Sequence, residues 1–284
     1  NNLIIFNTMI NSAEEEIYSN FLFSKDENVY NNLLILPSTE DNMNIHAFNS
    51  LVEKLKEHIS IFGIWPIEII KKNMSFFFEL LSLDEKTLCD KYNKEKNRLE
   101  FLGGRILLKL CINKFLDHKA NSISDFTKIT IRKETDGSPS IYFNDNKINS
   151  ASYSISHKDK YIFCAVDSIY RIGIDVEKVD KRLIKLKSKF ISQKEEEVIF
   201  KAYEDKVLED CELVHYYTML WASKESMVKC LKGNLLDLFN RAQLVDIKGN
   251  DFFLKYAVKN VEQNYISHNY LYNNFIFSIL QTSL

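Results

Sequence analysis

The six residues Ile172-Gly173-Ile174-Asp175-Val176-Glu177 constrain the chain more than any other stretch. Ile172, Ile174 and Val176 alternate with Gly173, Asp175 and Glu177, the period of a strand with one apolar face. That face needs a core to cover it, and the other face carries Asp175 and Glu177 side by side. Two carboxylates held so close repel and raise each other's pKa unless a cation or a proton lies between them. Mg2+, which takes one or two carboxylates together with substrate phosphates, is the usual solution with hard oxygen ligands. A half-solvated edge strand with ordinary surface acids fits the same letters, and D-x-E alone does not separate the two.

A second stretch, Trp221-Ala222-Ser223-Lys224-Glu225-Ser226-Met227-Val228-Lys229, lies in a helical pattern. Trp221, Glu225 and Lys229 step by four and share one stripe. The plain reading of Glu225 and Lys229 is a surface ion pair of a few tenths of a kcal/mol. Trp221 on the same stripe argues that this face is packed, and a metal or a phosphate would give a packed Glu-Lys pair its reason.

A chain of 284 residues makes one large domain or two small ones. Only 7 glycines are present, and no Gly-rich phosphate loop of the Rossmann or Walker kind is found, so phosphate chemistry falls to side chains and a metal. The net charge of −2 leaves no global nucleic-acid footprint. The 5 cysteines are odd in number, scattered and free of a C-x-x-C pair, which predicts reduced buried thiols and a cytoplasmic setting. No apolar run approaches the length of a membrane span, and no leader peptide is evident.

In chain order, Leu3 to Phe6 and Leu33 to Leu36 read as short strands. Helical spacing runs from Ile45 to Phe62, is interrupted at Trp65-Pro66, and resumes from Ile67 to Leu81. Ser82 and Glu85 fit a capping box. Two helices follow, Asp84 to Asn97 with Lys91, Lys94 and Lys96, and Leu99 to Phe115 with Gly103-Gly104, Arg105 and Lys109. These cations read either as a solvated face or as a comb for phosphates. Ile129, Ile131 and Ile141 to Phe143 mark strands around a turn at Asp136 to Pro139, and Tyr153 to Val166 reads as a hairpin turning at Lys158-Asp159-Lys160. A basic run from Lys178 to Lys189 precedes a capped helix, Ser192 to Tyr203, and a charged loop from Glu204 to Cys211. A helix from Leu213 to Leu231 and strands at Phe252 to Val258 and Phe275 to Leu280 complete the chain. Helices and antiparallel strands mix without a βαβ rhythm, which predicts an α+β fold. No internal repeat is evident in the letters.

G-I-D-x-E on a strand followed by W-x-x-K-E-x-x-x-K on a helix resembles the 4'-phosphopantetheinyl transferases, in particular their two-halved, surfactin-synthetase-activating type. Ile155-Ser156-His157 is similar to that family's third motif. Lys91, Lys94 and Phe101-Leu102-Gly103-Gly104-Arg105 resemble its coenzyme A-binding segment. The likeness runs from Leu83 to Leu244 in the family's order. Gly137-Ser138-Pro139 departs from the family's common Gly-Lys-Pro, so one basic contact is missing or comes from Arg132 or Lys133. The residues before Leu83 exceed the usual N-terminal length.

The resemblance implies two similar α+β halves related by a pseudo-two-fold axis, each a helix packed on a small antiparallel sheet, with coenzyme A in the cleft between them. Residues 1–82 would be an extension and the start of the first half, 83–152 its coenzyme A-binding remainder, and 153–284 the half with the metal and catalytic motifs. The implied reaction is Mg2+-dependent transfer of the 4'-phosphopantetheine arm of coenzyme A to a serine of an acyl or peptidyl carrier protein, releasing adenosine 3',5'-bisphosphate. Asp175, Glu177 and Glu225 would hold Mg2+ or Mn2+. Glu225, or a water at the same centre, would be the base, and Lys229 would stabilise or protonate the departing bisphosphate. Lys91, Lys94, Arg105, Lys133, Ser156, His157 and Lys224 would bind coenzyme A. An acidic carrier would dock on the basic run beside Phe190, Ile191 and Ile199. A cytoplasmic monomer without nucleic-acid or membrane partners is expected. Two alternatives share these letters: another Mg2+-dependent phosphoryl or nucleotidyl transferase, and a degenerate homologue that binds carriers without modifying them.

Overall fold

The computed structural model describes residues 34–36, 45–134, 139–202, 210–233, 241–258 and 261–283. The expected strand at Leu3 to Phe6, the turn at Gly137-Ser138 and the loop from Glu204 lie outside the described residues. Described residues up to Ala151, with Asp159–Val166, form one unit; Ser152–Lys158 and those from Asp167 onward form a second.

In the first unit, α1 (Ile45–Lys56) buries Phe48, Leu51, Val52 and Leu55 along one stripe. It stops short of Phe62, because Ile61–Pro66 is a strand, β1, antiparallel to β6 (Tyr161–Asp167) with Gly63 opposite Cys164. An apolar run of this length suits helix or strand equally. The run from Ile67 is also two helices, α2 (Ile67–Lys72) and α3 (Met74–Glu79), divided at Asn73, whose Nδ2 donates to the Ile69 carbonyl at 3.0 Å. Next come α4 (Leu83–Cys89), the 21-residue α5 (Glu95–Phe115) and α6 (Ile123–Phe126). A small antiparallel sheet of β2 (Ile129–Lys133), β3 (Pro139–Phe143) and β4 (Asn146–Lys147) closes this unit. A Cβ on Gly63 would lie 2.6 Å from Leu107 Cδ1, so this glycine lets α5 cross β1 closely.

The second unit is built on an antiparallel sheet in the order β7 (Tyr170–Lys178), β11 (Phe275–Ser283), β10 (Val261–Tyr272), β9 (Asp251–Val258), β8 (Gln243–Lys248). The helix α9 (Asp210–Leu231) lies on it, packing Val214, Tyr217, Leu220 and Met227 into one cluster with Phe252, Leu254, Ile276 and Leu280. Each such fully buried side chain contributes about 1.5–3 kcal/mol. The basic run folds in part into a short helix, α7 (Arg182–Leu186), with no buried residue, ahead of α8 (Gln193–Lys201). Phe190 and Ile199, expected as a surface patch, are in the core instead; Leu186 and Phe200 are the exposed apolar groups there.

Both units carry the same fastening. In the first, Ser82 caps α4 in a capping box with Glu85, whose carboxylate also meets Lys109 Nζ at 2.7 Å and accepts from Ile131 N at 3.1 Å. Lys109 Nζ then donates to the Leu80 carbonyl at 3.0 Å. In the second, Ser192 caps α8 with Glu195, which meets Lys224 Nζ at 2.8 Å and accepts from Leu244 N at 3.0 Å. Lys224 Nζ donates to the Phe190 carbonyl at 2.8 Å. The spacing Gly63, Leu80, Ser82, Glu85 recurs without insertion as Gly173, Phe190, Ser192, Glu195. The chain is α+β and its two units are variations on one frame: a capped helix, a long helix and a strand tied by one buried Glu-Lys pair.

Candidate active site

Gly173 explains the geometry of the site. A Cβ there would fall 1.8 Å from the Ser226 carbonyl oxygen and 2.6 Å from Cys230 N. Only glycine lets the backbone of α9 come this close to β7. The close crossing delivers Glu225, one residue before Ser226, to the carboxylates of β7. Asp175, Glu177 and Glu225 each offer an oxygen, and these oxygens all lie within 4.8 Å of one another.

Asp175 is 1 % exposed. Its Oδ1 accepts from Ser156 Oγ at 2.7 Å and from Lys229 Nζ at 2.8 Å, while its Oδ2 is buried with no hydrogen-bond partner among the described residues. Lys229 also donates to the Ile174 carbonyl at 3.1 Å, so it serves the strand rather than pairing with Glu225 along its own helix. Ser156 belongs to a ladder on β5 (Ser152–Lys158): Ser152, Ser154 and Ser156 accept through Oγ from Ile172, Ile174 and Val176 N at 3.0, 3.1 and 3.2 Å. The ladder satisfies alternate amides of β7 and fixes its height. Lys158, the last residue of β5, meets Glu177 Oε2 at 2.6 Å.

Three carboxylates thus face two ammonium groups. Burial, then Asp175, pushes the Glu225 carboxyl up to about 7 despite Lys229. Burial and Asp175 also raise Glu177, against Lys158. An orphaned buried carboxylate oxygen and three converging acids make a donor set that fits a hard divalent cation.

The structure therefore brings Asp175, Glu177, Glu225, Lys229 and Ser156 together in the second unit. His157, next on β5, is exposed. Lys224 is 1 % exposed and bonded to Glu195 and Phe190, so it acts in the frame and does not face a coenzyme A phosphate as the motif suggested. Lys91, Lys94, Arg105 and Lys133 belong to the first unit. Lys91 and Lys94 are exposed around the start of α5, and Lys133 is exposed at the end of β2. Arg105 holds its guanidinium 4.8 Å from the Phe101 ring centroid, with a buried Nε lacking a partner among the described residues. Lys158 and the serine ladder were not expected from the sequence, although the ladder is visible in it as S-x-S-x-S.

The strand–helix crossing defines an α+β protein that gathers three acids and two lysines into one cluster. The chain belongs to the 4'-phosphopantetheinyl transferase superfamily. The family model described as "4'-phosphopantetheinyl transferase, N-terminal" matches residues 68–169, and that described as "4'-phosphopantetheinyl transferase superfamily" matches residues 171–279. The 4'-phosphopantetheinyl transferase Sfp of Bacillus subtilis is 26 % identical over 173 residues, 60 % of this chain and 69 % of that protein. The 4'-phosphopantetheinyl transferase gsp of Aneurinibacillus migulanus is 27 % identical over 169 residues, 58 % of this chain and 62 % of that protein. A holo-[acyl-carrier-protein] synthase of Staphylococcus saprophyticus is 28 % identical over 98 residues, 34 % of this chain and 82 % of that protein.

Proposed function

We propose that the chain transfers the 4'-phosphopantetheine arm of coenzyme A to a serine of an acyl or peptidyl carrier protein in a Mg2+-dependent reaction, releasing adenosine 3',5'-bisphosphate. The observation that carries the reading is the crossing at Gly173, which joins three acids and Lys229 in one cluster in a member of this superfamily. Asp175, Glu177 and Glu225 would hold the cation, which supplies neutralising charge to the diphosphate of coenzyme A when bound. Ser156 and Lys229 fix the Asp175 carboxylate, so that oxygen need not reorganise during the reaction. Glu225, or a water at the same centre, takes the proton of the attacking serine hydroxyl. Lys229 faces the departing bisphosphate. Arg105, whose buried Nε has no partner among the described residues, and the exposed Lys91, Lys94, Lys133 and His157 are the further candidates for binding coenzyme A by motif position. An acidic carrier docks on the exposed lysines of the α7 segment beside Leu186 and Phe200.

The free buried thiols Cys89, Cys111, Cys164 and Cys230, together with coenzyme A as co-substrate, favour a cytoplasmic setting. A single chain carries both matched segments, which favours a working monomer.

Incubation with coenzyme A, Mg2+ and a panel of apo carrier proteins tests the reading by intact mass. The carrier gains the mass of the arm with the wild type and not with Asp175→Ala or Glu225→Ala. Binding of carrier without any mass gain indicates a non-catalytic homologue. Labelling by a different phosphoryl or nucleotidyl group indicates the rival transferase.

A further inference from the structure

Lys158 stands outside every motif that carries the family likeness, yet its ammonium lies 2.6 Å from Glu177 Oε2. Its side chain is 38 % exposed and that of Glu177 15 %, so water screens the pair from the lysine side and its worth is about fivefold in an equilibrium constant. Its position is the informative fact. Glu177 is one of three acids whose oxygens converge, and an ammonium and a divalent cation repel one another at the same carboxylate.

The two lysines of the site come from different elements and differ in exposure. Lys229 is anchored twice, to Asp175 Oδ1 and to the Ile174 carbonyl. It reaches these atoms from the long helix α9. Lys158 ends β5 immediately before the turn at Asp159, with more of its side chain in solvent. It lies beyond the serine ladder, whose last member is Ser156.

We propose that Lys158 is an exchangeable counter-ion. It neutralises Glu177 while the acidic cluster lacks a divalent cation, yields that carboxylate when the cation binds, and carries its charge to an anionic oxygen of the diphosphate of the co-substrate. The inference rests on the proposed metal-dependent transfer and adds to it a residue that couples cation binding to substrate binding.

The test measures Mn2+ binding by electron paramagnetic resonance and coenzyme A binding by calorimetry, on the full chain and without a carrier. Lys158→Met is expected to bind Mn2+ about two- to fivefold more tightly in the absence of coenzyme A, since the competing ammonium is gone. The factor by which Mn2+ tightens coenzyme A binding is expected to fall in Lys158→Met, because the cation no longer frees a phosphate-binding group. Lys158→Arg, which keeps the charge, stays close to wild type in both. Unchanged Mn2+ affinity in Lys158→Met overturns the competition, and tighter Mn2+ with undiminished coupling overturns the transfer of charge to substrate. If the wild type binds no more Mn2+ than Asp175→Asn, the proposed metal site itself fails, a result distinct from the other two.

Discussion

A methyl group at position 173 would have to share space with the Ser226 carbonyl oxygen, 1.8 Å from an ideal Cβ. Neither neighbour is a flexible side-chain tip, so α9 must retreat from β7 and take Glu225 with it. Gly173→Ala is therefore expected to destabilise the protein by about 1–3 kcal/mol or more through overpacking, with a larger proportional loss of transfer than of stability. Urea midpoints and transfer rates, measured side by side, decide this; wild-type activity in Gly173→Ala would mean that the close crossing is unimportant. Glu225 gives a second prediction at this scale. Its pKa rises from 4.5 to about 7 in the folded, metal-free protein, through burial first and Asp175 second. The folded state then holds a proton that the unfolded state releases, so this contribution to stability is full below about 4.5 and is lost as pH rises through about 7. In the presence of chelator, Glu225→Gln should lack that decline. Parallel curves of unfolding midpoint against pH for the two proteins would contradict it.

At the scale of elements, the buried pairs Glu85–Lys109 and Glu195–Lys224 tie a capped helix to a long helix and a strand. Burial lowers the pKa of both lysines and their glutamates oppose it. Removing one partner leaves a charge without its counter-ion, at a cost of about 3–5 kcal/mol. Lys224→Met and Lys109→Met are each expected to lose about this much in denaturant unfolding, whereas replacing Glu195 and Lys224 together by apolar residues loses much less. Equal losses for the single and double variants would show that the pair is not the fastening. The capping boxes at Ser82 and Ser192 and the alternation at Ile172–Glu177 were legible in the letters because they depend on neighbours three or two residues away. The frame they belong to was not, since Glu85 finds Lys109, and Glu195 finds Lys224, across separations that the sequence does not mark. In the letters Ile61 and Phe62 read as the end of a helix interrupted at Trp65-Pro66, because the β identity of Ile61–Pro66 comes from pairing with Tyr161–Val166. Asp175, Glu177 and Glu225 were readable as a group through their motifs, but Lys158 and the true use of Lys224 are set by tertiary contacts alone.

For the molecule as a whole, the two matched segments share a frame and differ in what they place on it. Where the second has Asp175 and Glu177 after its glycine, the first has Trp65 and Ile67 after Gly63, with Trp65 fully buried. Among the described residues the acidic cluster therefore belongs to the second unit, and a divalent cation should stabilise the protein through that unit. A ligand bound only by the folded state adds RT ln(1 + [L]/Kd), about 2.7 kcal/mol at a hundred times Kd. In a chain of this size about 1 kcal/mol moves the melting temperature by roughly 2–4 °C. Mg2+ at saturating concentration, without coenzyme A, is thus expected to raise the melting temperature by several degrees above pH 7, where the acids repel most. Asp175→Ala should abolish the rise, and Lys109→Met, which weakens only the first frame, should keep it. If calorimetry resolves two transitions, Mg2+ should move the one that Lys224→Met lowers. A rise of equal size in Asp175→Ala would assign the cation to some other part of the chain and separate the acids of the second unit from metal binding altogether.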